Sequence, residues 1–449
     1  MLDANLQNDT IIAISTPPGV GGIAVIRLSG SQSKEIIKPF FNNYHRLKPR
    51  FAVFGKLIHP DLSNTVFDEC IVTYFKAPHS ATGQDIVEIS IHGGEYIQSK
   101  LLSVLVNQPS VRLAEPGEFT FRAFLSGKYD LSTAESVADL IHARDEASHA
   151  SAQKRMQGQL KKSISALKQM IREPLTLIEA ELDFSDQEIE FITLSEHKNA
   201  IIGAIRSIDK LLDSYHYGKR VFEGFRVVFA GRPNVGKSTL FNKLLGEERA
   251  IVTNVPGTTR DTIEDTISLF GHTLILVDTA GIRETEEEVE YFGVNRSQRE
   301  IERADIVLNL FSFDQKELEI SYPQDTIVVN IQTKADISRQ PLNKQEVIIV
   351  STVTDEGIST LRETLTSFIS ELANKYDESA FLTNQRQTTS FQHCKIALTG
   401  ALQALNDELG HEFIASDLHE ALNALSELTG ETTPDDILNE IFQKFCVGK

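Results

Sequence analysis

The chain has 449 residues, of which 41% are hydrophobic and 24% charged, as is ordinary for a soluble globular protein of several domains. Its 63 acidic and 44 basic side chains give a net charge of −19, which argues against non-specific coating of nucleic acid and against an anionic membrane surface. Three cysteines (Cys70, Cys394 and Cys446) lie far apart without metal-ligand spacing and favour a reducing compartment. With no apolar run of bilayer length and no signal or transit segment, we expect a cytoplasmic protein.

Residues 1–124 alternate short apolar runs with turn signals and predict a mixed α/β domain. Helices are expected over Gly94–Val106 and from Glu115–Glu118 onward. Arg27 and Glu88 interrupt two apolar strands, and the alternation of strand faces by itself predicts that both point to solvent. The expected strands are Thr10–Ile14, Ile23–Leu28, Phe51–Ile58, Glu69–Phe75 and Ile86–His92.

Helical periodicity dominates both sides of the segment 221–374. Ser132-Thr-Ala-Glu135 predicts a capping box that begins a helical run to about Asp183, which Pro174 should end or kink. The segment 221–374 therefore predicts a domain inserted into an all-helical one, with two separate helical domains as the alternative. Further helices are expected at about Ser195–Tyr217, Asn384–Leu405, Ala415–Leu428 and Asp435–Phe445.

A glycine-containing loop stands between a predicted strand and a predicted helix. Phe225–Ala230 is an apolar run, Gly231-Arg-Pro-Asn-Val-Gly-Lys-Ser238 follows, and Thr239–Leu245 repeats apolar residues at helical spacing. The two glycines permit backbone angles closed to other residues, so the loop amides can turn inward as an anion-binding nest. We expect Lys237 to reach the β- and γ-phosphates and the Ser238 hydroxyl to bind Mg²⁺.

Two further motifs follow in the order expected of a nucleoside triphosphate site. Thr253–Asp261 contains a Gly-Thr-Thr turn, whose threonine could close over the γ-phosphate and ligate Mg²⁺. Thr273–Asp278 predicts a strand that ends in an acid able to hold Mg²⁺ through water, and the Gly281 amide can contact the γ-phosphate. Gly-Thr-Thr alone is a weak indication of function. Both motifs together, in this order after a phosphate loop, strongly indicate a nucleoside triphosphate site.

The base is predicted from Thr333-Lys-Ala-Asp336, which follows the apolar run Thr326–Ile331. The Asp336 carboxylate can accept from both N1–H and the N2 amino group of guanine, donors that adenine lacks, so the motif favours GTP over ATP. Ser351-Thr-Val353 fits the loop that would cover the base edge.

Along its whole length the sequence resembles the MnmE (TrmE) family of tRNA modification GTPases. The resemblance rests on Pro17-Pro-Gly19, His92-Gly-Gly94, Pro116-Gly-Glu-Phe119, the inserted domain and the tail Phe445-Cys-Val-Gly-Lys449. It implies a multidomain α/β fold, in which a P-loop GTPase domain is inserted in an all-helical domain behind a mixed α/β N-terminal domain of folate-binding type. The implied domains are 1–124 for folate binding and dimerisation, 125–220 and 375–449 for the two parts of the helical domain, and 221–374 for the G domain.

The resemblance also implies the reaction. A homodimer works with a flavoprotein partner of MnmG type, in a heterotetramer, to place a carboxymethylaminomethyl or aminomethyl group on C5 of the wobble uridine, U34, of certain tRNAs. The one-carbon unit comes from 5-formyl- or 5,10-methylene-tetrahydrofolate. The residues that match the family's folate-contacting positions are Arg27, Glu88, Lys128 and Lys449.

For hydrolysis, Ile282 occupies the position of the water-orienting glutamine of Ras-type enzymes and can neither orient nor polarise water. The resemblance instead nominates Glu290, acting through a water relay, although its place in an acidic run favours a solvated face. Ser238 and Thr259 are the implied Mg²⁺ ligands; Asn234, Thr253, Val255 and Thr258 are the implied K⁺ ligands. The expected GTP-binding set is Asn234, Val235, Gly236, Lys237, Ser238, Thr239, Thr253, Asn254, Val255, Pro256, Gly257, Thr258, Thr259, Asp278, Thr279, Ala280, Gly281, Thr333, Lys334, Ala335, Asp336, Ser351 and Thr352.

The guanine motif departs from the family at Thr333, where asparagine is usual. Because a hydroxyl cannot make both bonds of an amide, we expect lower base affinity with GTP preference retained through Asp336. Two alternatives to a tRNA modification GTPase stay open. One is a ribosome-assembly GTPase, which predicts a basic RNA-binding appendage not seen in the sequence; the other is a folate-dependent enzyme whose G domain is structural or regulatory.

Overall fold

The computed structural model describes residues 9–59, 65–183, 194–248, 263–278, 298–313, 321–337, 347–376, 381–445 and 447–448. Two compact units make up the chain. One comprises Met1–Ala138, Arg155–Lys198 and Ile396–Lys449, and the other comprises Asp139–Lys154 and Asn199–Lys395. The second unit therefore interrupts the first in sequence, while the boundaries expected at 124, 220 and 374 stay predictions.

The first unit contains a six-stranded sheet in the order β3-β4-β5-β2-β1-β6, antiparallel except for the parallel pair β1 and β6. Burial alternates along β4, so one face of this strand is covered and the other is open, as is common in antiparallel sheets. At β1 the second face is covered too, because Ile11 and Ala13 are buried with Phe119. The sequence missed only the short β6. The strands are β1 (Thr10–Ile14), β2 (Gly21–Ser29), β3 (Ala52–His59), β4 (Thr65–Phe75), β5 (Ile86–Gly93) and β6 (Val111–Leu113).

Apolar side chains of this sheet and of the helices on its covered face form the first core, which includes Leu28, Val72 and Leu101. The helices of the first half of the chain are α1 (Ser33–Ile36), α2 (Glu95–Val106), α3 (Glu118–Leu125), α4 (Leu131–His142), α5 (Glu146–Met156), α6 (Gln159–Asp183), α7 (Leu194–Asp213) and α8 (Tyr215–Glu223).

The predicted helical run from Ser132 differs from the observed one at its start. Helix α4 begins at Leu131, and Asp130 accepts the Thr133 backbone N–H at 2.8 Å and the Ser132 hydroxyl at 2.7 Å. The prediction that Ser132 caps this helix was therefore wrong. Asp130, two residues upstream, is the cap, and its charged carboxylate is a stronger acceptor than a hydroxyl.

Two breaks divide the predicted run into α4, α5 and α6. Asp145 accepts the Ser148 N–H at 2.8 Å and so restarts the helix at α5. Gly158, at a φ of +80°, ends it again before α6. Pro174 lies inside α6 and is buried, so of the two predicted outcomes, an end or a kink, the end was wrong and the kink stays a prediction. Its neighbours Ile171 and Leu175 are also buried, and packing outweighs the lost backbone bond.

The second unit contains a six-stranded sheet in the order β12-β11-β10-β7-β9-β8, in which every adjacent pair is parallel except the hairpin β8–β9. All residues of β10 are buried, as expected of a central strand covered on both faces. The strands β8 and β10 were not predicted. The strands are β7 (Phe225–Gly231), β8 (Ile263–Leu269), β9 (His272–Asp278), β10 (Ile306–Ser312), β11 (Ile327–Thr333) and β12 (Val347–Ile349).

Helices of the second unit share one core with this sheet, in which Val221, Leu240 and Leu365 pack with Phe229 and Leu308. The remaining helices are α9 (Lys237–Glu248), α10 (Ile358–Tyr376), α11 (Gln385–Asn406), α12 (His411–Thr429) and α13 (Asp435–Gln443). Among the helices described here, none is both long enough and apolar enough to span a bilayer.

Candidate functional site

The phosphate loop joins β7 to α9 at the carboxyl edge of the parallel strands, where α/β sheets bind ligands. Gly231 and Gly236 have φ angles of +145° and +99°. A Cβ at Gly231 would lie 2.3 Å from the Leu310 carbonyl oxygen, so only glycine fits. Asn234 is exposed and also has a positive φ, +65°. The loop therefore has the left-handed turns that its sequence predicted.

Lys237 begins α9 with its ammonium group folded back over this loop. It donates to the carbonyl oxygens of Gly231 at 2.8 Å and Arg232 at 2.9 Å. Burial lowers the pKa of Lys237, while the Asp278 carboxylate acts in the opposite direction. An incoming phosphate would offer this ammonium group stronger, charged acceptors than the two carbonyls.

Ser238 and Asp278 meet at the start of α9 and the end of β9. The Ser238 hydroxyl donates to Asp278 Oδ2 at 2.6 Å, and Asp278 is 1% exposed. A hydroxyl and a carboxylate are hard oxygen ligands of the kind Mg²⁺ prefers, so the pair fits this ion. The expected partner Thr259 lies outside the described residues, as do the rest of Thr253–Thr259, Thr279–Gly281 and Glu290.

Thr333 ends β11, and its buried side chain lies against the phosphate loop. Its hydroxyl donates to the carbonyl oxygen of Val235 at 2.5 Å, with the Phe311 carbonyl at 3.2 Å. The residue that departs from the usual asparagine therefore connects the guanine motif to the phosphate loop. Sequence analysis missed this bond; the expected loss of base affinity stays a prediction.

Asp336 and Ser351 come together from the loops after β11 and β12. Asp336 Oδ1 accepts the Ser351 hydroxyl at 2.8 Å, and Ser351 Oγ in turn accepts the backbone N–H groups of Val353 and Thr354. Lys334 precedes them with a φ of +61°. This network orients the Asp336 carboxylate and leaves acceptor sites on both of its oxygens for a ligand.

Arg27 and Glu88 lie opposite each other on β2 and β5 and pair directly. Arg27 Nη2 lies 2.8 Å from Glu88 Oε1, and the guanidinium group is 5.6 Å above the Phe119 ring. Neither side chain simply points to solvent, since they are only 19% and 27% exposed. The cross-strand register, which the sequence does not display, makes this pair.

The chain's C-terminal tail reaches the same pair. The Gly448 carbonyl accepts from Arg27 Nη1 at 3.3 Å and from the Ser15 hydroxyl at 3.2 Å. Gly448 is buried with a φ of +91°, and a Cβ there would lie 2.4 Å from the Ile14 carbonyl oxygen. Ser15 was missed by sequence analysis; Lys449 and Cys446 lie outside the described residues.

Phe445 anchors this tail. It is buried with Phe121, Leu131, Leu438 and Phe442, which join α3, α4 and α13 in one small core. Gly117, before α3, permits the close approach, because a Cβ there would lie 2.3 Å from the Phe442 carbonyl oxygen.

Lys128 lies in a separate cleft of the same unit and donates to the Ser80 carbonyl. Arg27 and Glu88 do not line this cleft. Three of the implied folate residues thus lie in two separate places of the first unit. Among the residues that the structure describes, no cluster of three His, Cys, Asp or Glu side chains is suited to hold a metal ion.

The phosphate loop, the Ser238–Asp278 pair and the Asp336 loop define a P-loop protein of the GTPase class. The family model described as MnmE helical domain matches residues 131–446, and the one described as GTP-binding protein TrmE N-terminus matches residues 10–128. This chain belongs to the MnmE family of tRNA modification GTPases.

Curated relatives named tRNA modification GTPase MnmE match over essentially the full length. The protein of Koribacter versatilis is 39% identical over 98% of this chain and 99% of its own length. That of Aquifex aeolicus is 39% identical over 99% of this chain and 100% of its own. Among solved structures, the G domain of the T. maritima FeoB iron transporter is 25% identical in sequence, with a TM-score of 0.24. The match covers 33% of this chain and 98% of that one.

Proposed function

We propose that this chain is a K⁺-stimulated GTP hydrolase that modifies C5 of the wobble uridine of certain tRNAs. It works in the cytoplasm as a homodimer with a flavoprotein partner of MnmG type. The observation that carries the proposal is the full-length likeness to tRNA modification GTPases, in a chain that keeps the Lys237–Ser238–Asp278 cluster. The product is a carboxymethylaminomethyl or aminomethyl group on U34.

In the nucleotide site, Lys237 exchanges its two loop carbonyls for the β- and γ-phosphates. Ser238 and Thr259 would hold Mg²⁺, with Asp278 contacting it through water, and the ion would neutralise charge on the phosphates. Asn234, with oxygens of Thr253, Val255 and Thr258, would hold K⁺, whose positive charge would take the role of an arginine finger. Glu290 orients the attacking water through a water relay, as the family resemblance implies, and Ile282 has no group that could do so.

In the first unit, Arg27, Glu88, Lys128 and Lys449 bind the folate that carries the one-carbon unit. The support lies in the Arg27–Glu88 pair, which offers a partly exposed cation and carboxylate beside Phe119, and in the Gly448 carbonyl docked against it. A guanidinium group suits a carboxylate or ring oxygen, and a carboxylate suits the donors of a pterin edge.

Mass spectrometry of tRNA from cells that lack the gene tests the proposal. We expect U34 of a subset of tRNAs to lose its C5 substituent and to regain it when the gene is restored. A strain with unchanged tRNA and defective ribosomes would favour a ribosome-assembly GTPase instead.

A single-turnover modification assay tests the contribution of hydrolysis. With a non-hydrolysable GTP analogue, we expect modification to stop. Modification that proceeds normally with the analogue would favour a folate enzyme with a regulatory G domain.

A further inference from the structure

Three short segments of the first unit carry basic side chains and no acidic ones. Residues 44–51, 75–83 and 126–128 contain no Asp or Glu, although the whole chain has a net charge of −19. This segregation of charge gives that part of the surface a local positive potential, which attracts anions. The exposed basic residues of the first two segments are called the basic surface below: His45, Arg46, Lys48, Arg50, Lys76 and His79.

Backbone bonds hold the first two of these segments side by side. Pro49 and Tyr74 form a parallel bridge, and the Arg50 N–H donates to the Tyr74 carbonyl at 2.7 Å. The turn after β4 is fixed by Asp85, whose carboxylate accepts the Ala77 N–H at 2.8 Å. The basic side chains are therefore carried by backbone that the fold positions.

Two carboxylates from neighbouring segments contact this region, and both are hydrogen-bonded to tyrosines. Asp85 Oδ2 accepts the Tyr74 hydroxyl at 3.0 Å, and Glu35 accepts the Tyr44 hydroxyl. Their charges lower the local positive potential, but they do not balance the four Lys and Arg side chains of the basic surface.

The basic surface borders an open cleft with a volume of about 640 Å³, which Arg50 and His79 line. Ser80 also lines the cleft; it is buried, and its hydroxyl has no hydrogen-bond partner among the residues that the structure describes. Lys128, the proposed folate residue, is a further member of the lining. An anionic oxygen in this cleft would meet Arg50 and His79 and could accept from the Ser80 hydroxyl.

We propose that the basic surface binds the phosphate backbone of the tRNA substrate. The inference rests on the proposed function, which supplies the RNA. Arg46, Lys48 and Lys76 lie outside the cleft lining, so the cations extend over a wider area than a small ligand covers, as binding of an extended polyanion requires. Phosphate contacts orient a nucleic acid without reading its sequence, so this surface would hold the tRNA beside Lys128 and leave recognition of bases to other residues.

Fluorescence anisotropy of end-labelled tRNA with the full-length protein tests this assignment. The tRNA comes from cells that lack the gene, and no nucleotide is added. We expect the triple variant Arg46→Gln/Lys48→Gln/Arg50→Gln to bind about 10- to 100-fold more weakly at about 0.1 M KCl. Because three phosphate contacts are lost, the slope of log affinity against log salt concentration should also become shallower by about 2 to 3.

A control variant removes three positive charges elsewhere in the first unit. Lys162→Gln/Arg172→Gln/Lys198→Gln changes exposed residues of α6 and α7, and its tRNA affinity should stay within about 2-fold of the wild type. The double variant Arg46→Lys/Arg50→Lys keeps the charges of the basic surface and should stay within about 3-fold. Since all the substituted side chains are exposed, we expect circular dichroism to show each variant folded.

Wild-type affinity in the triple variant, or an equal loss in the triple variant and the control variant, would overturn the assignment. A triple variant that binds tRNA normally but no longer binds the flavoprotein partner would make this surface a protein interface instead. Wild-type protein that does not bind tRNA would overturn the inference as well. In each of these cases the proposed function is decided separately, by the mass spectrometry of U34.

Discussion

At the residue scale, the Thr333 hydroxyl connects the guanine motif to the phosphate loop. Its bond to the Val235 carbonyl links the end of β11 to the phosphate loop, in a place that is 5% exposed. Any side chain at position 333 that can donate a hydrogen bond to the Val235 carbonyl therefore preserves this connection, independently of its effect on base affinity.

Replacing Thr333 with valine should leave the shape of the side chain nearly unchanged and remove the donor. The buried Val235 carbonyl then loses its partner, at a cost of about 1–3 kcal/mol, part of which appears as a looser phosphate loop. We expect GTP affinity, measured with a fluorescent nucleotide, to fall about 5- to 50-fold. Thr333→Ser, which keeps the hydroxyl, should stay within about 3-fold. A valine variant that binds GTP like the wild type would show that the bond has no effect on the loop.

Asp336 provides the second residue-scale prediction. Its Oδ1 accepts one hydrogen bond from Ser351, and the carboxylate keeps acceptor sites on both oxygens for the N1–H and N2 donors of guanine. Asp336→Asn should weaken GTP binding and improve binding of xanthosine triphosphate, since an amide can donate to the extra carbonyl of xanthine where a carboxylate is repelled. Competition between the two nucleotides measures the change; an unaltered preference would place the base elsewhere.

At the element scale, the start of α5 is bonded to the turn between β8 and β9. Asp145 Oδ2 accepts the Thr273 N–H at 2.6 Å while its Oδ1 caps α5, and the Ala147 N–H donates to the Gly271 carbonyl at 3.0 Å. Strand β9 carries Asp278 at its other end. A short helix is thus connected to the strand that supplies the predicted Mg²⁺ site.

Asp145→Ala should release this connection. We expect about 2 kcal/mol less protection of the Thr273 amide, because the variant loses both a helix cap and a strand-end acceptor. Hydrogen exchange of peptides that cover residues 270–273 reports the effect. Glu146→Ala, an exposed neighbour in the first turn of α5, serves as the control and should change protection by less than about 0.5 kcal/mol. Equal exchange in both variants would contradict the proposed connection.

At the scale of the whole molecule, the tail and the nucleotide site belong to units with separate cores. Removing Cys446–Lys449 takes away the carbonyl that Arg27 and Ser15 share. We expect K⁺-stimulated GTP hydrolysis to persist and tRNA modification to be lost, both measured on the same protein.

Gly448→Ala should reproduce the truncation, because the added Cβ meets the Ile14 carbonyl and the positive φ disfavours alanine. Val447→Ala, at an exposed position, is the matched control. Modification that survives truncation would remove the tail from the active site, and hydrolysis that collapses with it would assign the tail to folding or dimerisation.

Comparing GTP hydrolysis in K⁺ and in Na⁺ tests the proposed K⁺ site. We expect faster turnover in K⁺ than in Na⁺ at equal ionic strength, because the smaller Na⁺ ion fits a K⁺-sized cage of oxygens poorly. The protein must be concentrated enough for its G domains to dimerise. Equal rates in the two salts would contradict the K⁺ site.

The sequence by itself determined the class of fold, the inserted nucleotide-binding domain and the phosphate loop, because hydrophobic period, glycine angles and loop order are local properties. The sequence pattern predicted that the helix starts at Ser132 and missed Asp130, because both of these residues are of types that cap helices. Only the tertiary structure decided that Arg27 pairs with Glu88, that Thr333 meets Val235, and that Gly448 docks beside Ser15. Each of these contacts joins residues far apart in the chain, and strand register and packing, which no local pattern encodes, bring them together.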